Sequence, residues 1–284
     1  MKQTLTIGTF DGVHLGHQAI LKSVDFVVTF SNHPQTILCG QPPEALNFLS
    51  HKLQLIKQMG VKTILTIPFT QEIAEMSAEA FLLQIKKQLS FTHLLLGHDA
   101  AIGRRREGTA KHLFNLSQKL GFTLDYYPPF KVEGEIVSSS LIRQLITQGE
   151  FRRAEIFLGR PYSISSTVQK GAEKGGIIGF RTANIDLDNI CTPPKGVYAI
   201  RAILQGQVFN GIANLGVAPT IQNRKTAVLE AHLFDFTEDL YGMDIEIIFV
   251  DFIRNEKQFS SVEELKAQIQ RDIPIALQKL RVKK

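Results

Sequence analysis

The stretch that decides the fold lies near the amino terminus, where residues 4–17 read TLTIGTFDGVHLGH. A β-branched run leads directly into a turn around Gly8 and Gly12, and His14 and His17 follow. A strand that ends in a glycine-rich turn and enters a helix is typical of α/β folds, in which ligands bind beyond the carboxyl ends of the strands. This turn is therefore the first candidate for a binding site.

The rest of the first half alternates strand-like and helix-like segments. Strands are predicted at 4–10, 25–30, 63–68, 93–97 and 123–127, and helices at 50–59, 77–88 and 109–120. Such alternation indicates parallel βαβ units with right-handed crossovers, and hence a Rossmann-like parallel sheet.

The second half has strands without intervening helices, which indicates an antiparallel barrel or sandwich. Strands are predicted at 197–204, 208–214, 228–236 and 245–253, with a hairpin turn at 205–207. Ser261 and Glu264 form a predicted capping box for a final helix. Its buried face is predicted to carry four residues spaced by four, Leu265, Ile269, Ile273 and Leu277. We therefore predict two domains, 1–155 and 156–284.

Composition excludes several classes of protein. The 284 residues suffice for about two domains, and 44% hydrophobic with 21% charged residues is typical of globular chains. Cys39 and Cys191 are too few for a disulfide scaffold. No apolar run is long enough for a membrane span or a signal peptide, so a cytoplasmic location without a membrane partner is expected. The net charge of +5 is scattered, which argues against a nucleic-acid partner.

His14 and His17 are the strongest catalytic candidates. Their i, i+3 spacing puts both imidazoles on one face at the start of a helix, where they could donate to phosphate oxygens. The alternative is a glycine turn with two surface histidines. Other residues of the first half could complete a nucleotide site. Asp99, after the fourth strand, could bind a ribose or base. Ser139, Ser140 and Arg143, in the first turn of a helix, could bind phosphates. Taken alone, the serines could simply be helix caps.

The second half offers a second set of candidates. Gly171 and Gly179 belong to a glycine-rich loop that could close over phosphates, although such loops are often plain turns. Thr182 and Asn184 supply hard oxygen ligands suited to Mg²⁺ carrying a nucleotide. Glu230 lies in an apolar strand, where a half-buried carboxylate near the barrel centre is either structurally paired or a general base.

Taken together, these motifs resemble the bacterial bifunctional riboflavin kinase/FMN adenylyltransferase family. In the first half the resemblance rests on Gly8, Phe10, Asp11 and Gly12 with the two histidines, on 29–34 and on 138–143. In the second half it rests on 158–162, 182–184, 196–199, 232–236, 239–242 and 253–256. The ordered set spans the whole chain.

The resemblance implies an adenylyltransferase domain followed by a six-stranded riboflavin kinase barrel. The barrel would phosphorylate riboflavin to FMN with Mg²⁺ and ATP, and the first domain would join AMP to FMN and release pyrophosphate, forming FAD. By motif, His14 and His17 would act on the α-phosphate and Glu230 on the ribityl hydroxyl. Arg254 would join the flavin or nucleotide contacts. The resemblance leaves the oligomeric state open.

The sequence departs from the family pattern at four places. Arg181 replaces a proline, Ser140 replaces a threonine, and Ala100–Ala101–Ile102 replaces an aromatic segment. Only seven residues separate His17 from Asp25, where the family has a full helix. These departures leave open a riboflavin kinase with a degenerate adenylyltransferase domain. A more remote alternative of another class is a basic two-domain protein whose barrel binds RNA.

Overall fold

The computed structural model describes residues 2–169, 182–219 and 225–281. The chain packs into two compact units: unit 1 comprises Met1–Ala45 and Lys52–Ser139, and unit 2 comprises Leu46–His51 and Ser140–Lys284. The predicted division at residue 155 concerns independent folding and stays a prediction.

Unit 1 is built around a fully parallel five-stranded sheet. Its strands are β1 (Thr4–Ile7), β2 (Phe26–Phe30), β3 (Thr63–Ile67), β4 (His93–Gly97) and β5 (Thr123–Tyr127), in the order β3-β2-β1-β4-β5. The strand order reverses between β1 and β4, and in such sheets the crevice at that point is the usual ligand site. The predicted parallel α/β fold is confirmed, and all five predicted strands are present.

Helices follow the strands of this sheet, and most of them begin at a side-chain cap. They are α1 (Leu15–Leu21), α2 (Pro34–Leu38), α3 (Leu49–Gln58), α4 (Gln71–Glu75), α5 (Ala78–Gln88) and α6 (Ala110–Leu120). Ser77 and Thr109 cap α5 and α6, as their positions before the helical runs predict. A small hairpin, β6 (Lys131–Val132) and β7 (Glu135–Ile136), follows the sheet.

The first helix is short. α1 has seven residues and buries only Ile20 and Leu21, after which Lys22 to Asp25 lead directly into β2. The close spacing of His17 and Asp25 therefore corresponds to a truncated helix, and β2 still pairs in register with β1.

Unit 2 contains a six-stranded antiparallel sheet that curls into a nearly closed barrel. After α7 (Ser139–Thr147) and α8 (Phe151–Leu158) come β8 (Ser163–Thr167), β9 (Ala183–Asp186), β10 (Gly196–Leu204), β11 (Gln207–Pro219), β12 (Lys225–Leu233) and β13 (Asp244–Arg254). The strand order is β8-β13-β10-β11-β12-β9. The Gln169 N–H, just after edge strand β8, donates to the carbonyl of Asn184 in edge strand β9 at 2.9 Å. This bond brings the two edges together.

The β10–β11 hairpin confirms the predicted turn. Leu204 pairs with Gln207, and the two residues between them, Gln205 and Gly206, have φ values of 50° and 80°. Positive φ at both positions is the type I′ geometry whose twist matches that of a hairpin.

The final helix, α9 (Val262–Arg281), is present, but its predicted face is only partly right. Its buried residues are Asp272, Ala276 and Leu280, with Ile269 and Ile273 partly buried against β-strand residues. A strict spacing of four drifts by about 40° per step around a helix of 3.6 residues per turn, so the core stripe follows mixed spacings. Glu264 N–H donates to Ser261 Oγ as predicted, whereas the Glu264 carboxylate accepts from Ser260.

The segment Leu46–His51 lies in unit 2 although its sequence neighbours lie in unit 1. His51 is 2% exposed, and its Nε2 lies 3.8 Å from Glu246 Oε1 in β13. Its Nδ1 lies 3.1 Å from Asn47 Nδ2. Burial lowers the pKa of His51 to about 4, against the opposing effect of Glu246. The segment therefore packs in unit 2 through a neutral, buried imidazole.

Candidate functional site

The turn after β1 has an unusual backbone. Phe10, Gly12 and Val13 all have positive φ, of 51°, 81° and 40°. Left-handed backbone is rare for a β-branched residue, and each strained residue costs about 1–3 kcal/mol unless its surroundings impose it. Phe10 and Val13 are 3% and 1% exposed, so packing holds both in place.

This turn presents the two predicted catalytic histidines together. The His17 N–H donates to His14 Nδ1 at 3.2 Å, and the two rings stack with centroids 3.6 Å apart. Because Nδ1 accepts, a neutral His14 carries its proton on Nε2. A Cβ on Gly16 would lie 3.2 Å from the His14 ring, and Phe10 meets His17 edge-on. The predicted pairing of the imidazoles on one face is therefore present.

Two further candidates flank the same turn within unit 1. Ser139 Oγ donates to the carbonyl of Asp11 at 2.9 Å, across 128 positions of sequence. Asp99 follows β4, the neighbour of β1, and its side chain is 81% exposed. The carboxyl ends of β1 and β4 thus bring Gly8, Asp11 and Asp99 to one edge of the sheet. Ser139 acts here as a tie to the turn, a role that the sequence did not indicate.

Ser140 and Arg143 belong to unit 2, at the start of α7. Ser140 is exposed, and the carbonyl of Arg143 accepts a long hydrogen bond from the buried Cys191 Sγ at 3.8 Å. Their assignment to the nucleotide stays a prediction. Of the segment that departs from the family, Ile102 is 7% exposed and packs in the core of unit 1, with Ala100 against it.

The second group of candidates shares one row across the barrel. Asn184 in β9 pairs with Glu230 in β12, which pairs with Asn214 in β11. Directly opposed residues of antiparallel strands point to the same face, with Cβ atoms about 4.5–5.5 Å apart. Three side chains with oxygen ligands therefore stand side by side.

Glu230 does not occupy the barrel centre, contrary to our prediction. Its neighbours Leu229 and Ala231 are fully buried and fill the interior, while Glu230 is exposed on the outer face. The side-chain period of two in a strand explains this, since an apolar residue on each side leaves the middle one facing out. α9 packs on the same outer face, against Ile212 of β11.

Thr182 and Asn184 lie at the start of β9 beside this row. Asn184 Nδ2 is 3.5 Å from the Thr182 carbonyl, an arrangement that turns the amide oxygen away from that carbonyl. Mg²⁺ binds oxygen donors, and a hydroxyl, an amide oxygen and the carboxylate of Glu230, which is paired with Asn184, are such donors, so these residues fit the predicted metal. Gly171, Gly179 and Arg181 lie outside the described residues.

Arg254 ends β13 in the same row, opposite Val197 of β10. Its guanidinium forms a double ion pair with Asp272 of α9 at 2.9–3.1 Å, and Nη1 donates to the carbonyl of Asn255. Asp272 is 1% exposed and also accepts from Gln268 at 2.8 Å. The guanidinium thus ties α9 to the barrel, a role that the sequence did not indicate.

Comparisons with known proteins assign each half separately. The FAD synthetase family model matches residues 1–141, and the riboflavin kinase model matches residues 158–280. A bifunctional riboflavin kinase/FMN adenylyltransferase of Haemophilus influenzae is 36% identical over 96% of this chain and 92% of its own. The chain belongs to the bifunctional riboflavin kinase/FMN adenylyltransferase family.

Relatives from other bacteria agree with this membership. Bifunctional riboflavin kinase/FMN adenylyltransferases of Bacillus subtilis and of Escherichia coli are 33% and 36% identical, each over at least 94% of this chain and 90% of their own. A solved structure named as a macrolide-efflux protein from Streptococcus pneumoniae superposes with a TM-score of 0.80 at 27% identity, covering 97% of this chain and 94% of that one. No helix in the described ranges has the length and apolarity needed to cross a bilayer.

As a bifunctional riboflavin kinase/FMN adenylyltransferase, the chain phosphorylates riboflavin to FMN and adenylylates FMN to FAD. The FAD synthetase match covers the parallel sheet, and the riboflavin kinase match covers the barrel. These matches favour the bifunctional interpretation over the kinase-only and RNA-binding alternatives. Asn214 lies opposite Glu230 but was not predicted from the sequence. The signal that could have identified it is a polar amide within the otherwise apolar run 212–215.

Proposed function

We propose that riboflavin is phosphorylated at the outer-face row of Asn184, Glu230 and Asn214, and that FMN is adenylylated at the turn that carries His14 and His17. The observation that best supports the first assignment is the strand register that sets Asn184 opposite Glu230. The second is best supported by the stacked histidines on a strained turn at the strand-order reversal.

In the kinase reaction, Glu230 takes the proton of the ribityl hydroxyl while that oxygen attacks the γ-phosphate of ATP. The bond from the γ-phosphorus to the β,γ-bridging oxygen breaks, and ADP leaves. Its exposure leaves room for the hydroxyl to approach within hydrogen-bond distance. Thr182 and Asn184 would hold Mg²⁺ with ATP. When bound, the ion neutralises phosphate charge, which supplies much of the catalysis in phosphoryl transfer because the protein mainly positions the reactants.

In the adenylyltransferase reaction, an FMN phosphate oxygen attacks the α-phosphate of ATP, and pyrophosphate leaves. A neutral His14 offers its Nε2 proton to an α-phosphate oxygen, and His17 stacks beside it. Such donors accelerate the reaction when they stabilise the charge that develops in the transition state. Gly8, Phe10, Asp11 and Gly12 shape the turn, and Asp99 and Ser139 complete the contacts on the ATP side.

The cellular setting of these reactions is also part of the proposal. We place the enzyme in the cytoplasm, with riboflavin, FMN and ATP as its small-molecule partners and without nucleic acid or membrane. Measuring the distribution of an epitope-tagged full chain between cytosolic and membrane fractions tests this part, and recovery in the membrane fraction would contradict it.

Two single substitutions test the site assignments. With riboflavin, ATP and Mg²⁺ supplied, we expect Glu230→Gln to lower FMN formation by about 10²- to 10⁴-fold, while adenylylation of added FMN continues. We expect His17→Ala to lower FAD formation by about 10²- to 10³-fold, with a much smaller change in the KM for ATP and normal FMN formation.

Each substitution serves as the folding control for the other, and the exposed Glu238→Gln is a matched control for Glu230. Equal loss of both activities in either variant would indicate a folding role and contradict the assignment. A wild-type chain that makes FMN but never FAD would restore the kinase-only alternative.

A further inference from the structure

Lys52 in α3 is a buried amine whose hydrogen bonds, within the described part of the chain, go to main-chain carbonyls. Its residue is 9% exposed, and Nζ donates to the carbonyls of Thr9 at 3.1 Å and Phe30 at 2.8 Å. Burial lowers its pKa to about 8, partly offset by the carboxylate of Asp11. Lysine is rarely buried without a paired acid, so this position calls for a physical reason.

The two carbonyls lie at the carboxyl ends of neighbouring strands. Phe30 is the last residue of β2, and Thr9 begins the turn after β1. The same Thr9 carbonyl also accepts from Thr29 Oγ1 at 3.2 Å, and the Gly8 N–H donates to the carbonyl of Val28 at 3.0 Å. The Lys52 amine therefore joins β1 and β2 beyond the last main-chain hydrogen bond between the two strands. It also holds the start of the turn in place.

The chain immediately after Thr9 enters the strained conformation of Phe10, Gly12 and Val13. Such backbone persists only where the surroundings determine it. His14 follows directly, and it caps α1 by accepting the His17 N–H. A shift of the Thr9 carbonyl would therefore displace the residues of the turn, and with them both imidazoles.

We propose that Lys52 is a positioning residue for FMN adenylylation, which holds the Thr9 and Phe30 carbonyls and thereby sets the turn that presents His14 and His17. The inference rests on the proposed role of these histidines. Lys52 acts through the turn and makes no contact with the reacting atoms.

The kinetic test compares Lys52→Met with Lys57→Met in the full-length chain. Lys57 lies on the same helix and is exposed, so it is a matched control. A displacement of about 1 Å can lower a rate by about 10²-fold. We expect Lys52→Met to lower the kcat for FAD formation by about 10- to 100-fold, with KM values for FMN and ATP changed by less than about threefold, as for loss of a transition-state interaction. Lys52→Arg, which keeps donors and charge, should be less impaired, and phosphorylation of riboflavin should be normal in all three variants.

A second readout follows the turn itself by hydrogen–deuterium exchange. Lys52→Met should speed amide exchange in residues 8–15 relative to Lys57→Met, while exchange in the barrel stays unchanged. Unchanged exchange in this segment, or parallel loss of both activities, would overturn the proposal. If the wild-type chain forms no FAD, the proposed role of the histidines fails, and the exchange result still decides whether Lys52 holds the turn.

Discussion

The ion pair between Arg254 and Asp272 allows a quantitative test of how α9 is held on the barrel. We consider three variants: Arg254→Met, Asp272→Leu and the double variant. The contacts between the two side chains are the two hydrogen bonds from Arg254 Nε and the contact from Nη2, at 2.9–3.1 Å. Arg254→Met also removes the hydrogen bond from Nη1 to the carbonyl of Asn255.

The expected magnitudes follow from the burial of each partner. Asp272 is 1% exposed, so removal of Arg254 leaves a buried carboxylate that keeps, among the described residues, the hydrogen bond from Gln268 alone. Breaking a buried pair in this way costs about 3–5 kcal/mol. Because the hydrogen bond from Gln268 remains, we expect a cost near the lower end of this range. The side chain of Arg254 is 15% exposed and can reach water, so Asp272→Leu should cost only about 1–2 kcal/mol. The double variant leaves neither charge buried and should recover most of the loss.

The measurement is thermal unfolding by far-ultraviolet circular dichroism, because the chain contains no Trp for a fluorescence signal. For a unit of this size, a loss of about 3 kcal/mol corresponds to a fall in Tm of about 6–12 °C. An unchanged Tm in Arg254→Met, together with lost phosphorylation of riboflavin, would refute the reasoning and leave substrate binding as the role of Arg254. The activity of the stable double variant measures any direct contribution of Arg254 to the substrate.

Two further predictions concern unit 2. The pKa of His51 is lowered to about 4 in the folded state, so between about pH 6.5 and pH 4 the unfolded state binds more protons than the folded state. The free energy of unfolding should therefore fall as the pH drops from 6.5 towards 4, by up to about 1.4 kcal/mol per pH unit. Urea unfolding of wild type and His51→Gln at pH 7.5 and pH 5 checks this, and an equally steep loss in the variant would contradict it. We also expect both fragments 140–284 and 156–284 to phosphorylate riboflavin. Fragment 140–284 should be the more stable, because it keeps Phe151, which stacks on Phe249 at 5.5 Å and meets Tyr198 edge-on. Activity assays and unfolding curves of the two fragments measure this, and equal stability would show that the aromatic packing is unimportant.

Local sequence patterns predicted the framework well because hydrophobic periodicity and turn chemistry act over short distances. β4 and β5 have the predicted bounds, and the hairpin at 205–206 forms as expected. The pairing of Asn184 with Glu230 depends on strand register, which the one-dimensional pattern does not specify. The face of the barrel on which Glu230 lies was predicted wrongly for a different reason, because the alternation of Leu229, Glu230 and Ala231 already indicates an outward-facing carboxylate.

The polar contacts that hold the candidate sites were also beyond prediction from sequence. Ser139 reaches the Asp11 carbonyl over 128 positions, and Lys52 reaches the carbonyl of Thr9. In both cases the acceptor is main chain, which every residue carries, so no residue type marks it. Arg254 was predicted from a family motif, whereas no motif identified its partner Asp272.

The division of the chain between the two units has a consequence for synthesis on the ribosome. Leu46–His51 is made early, but Glu246, which His51 meets in unit 2, is translated roughly 200 residues later. At about 5–20 residues per second, this delay is about 10–40 s. During that time the nascent chain carries His51, which is buried in the finished protein, without its contact with Glu246. The segment Leu46–His51 therefore reaches its place in unit 2 only after β13 has been made, and translation speed sets how long this segment is presented to chaperones and proteases.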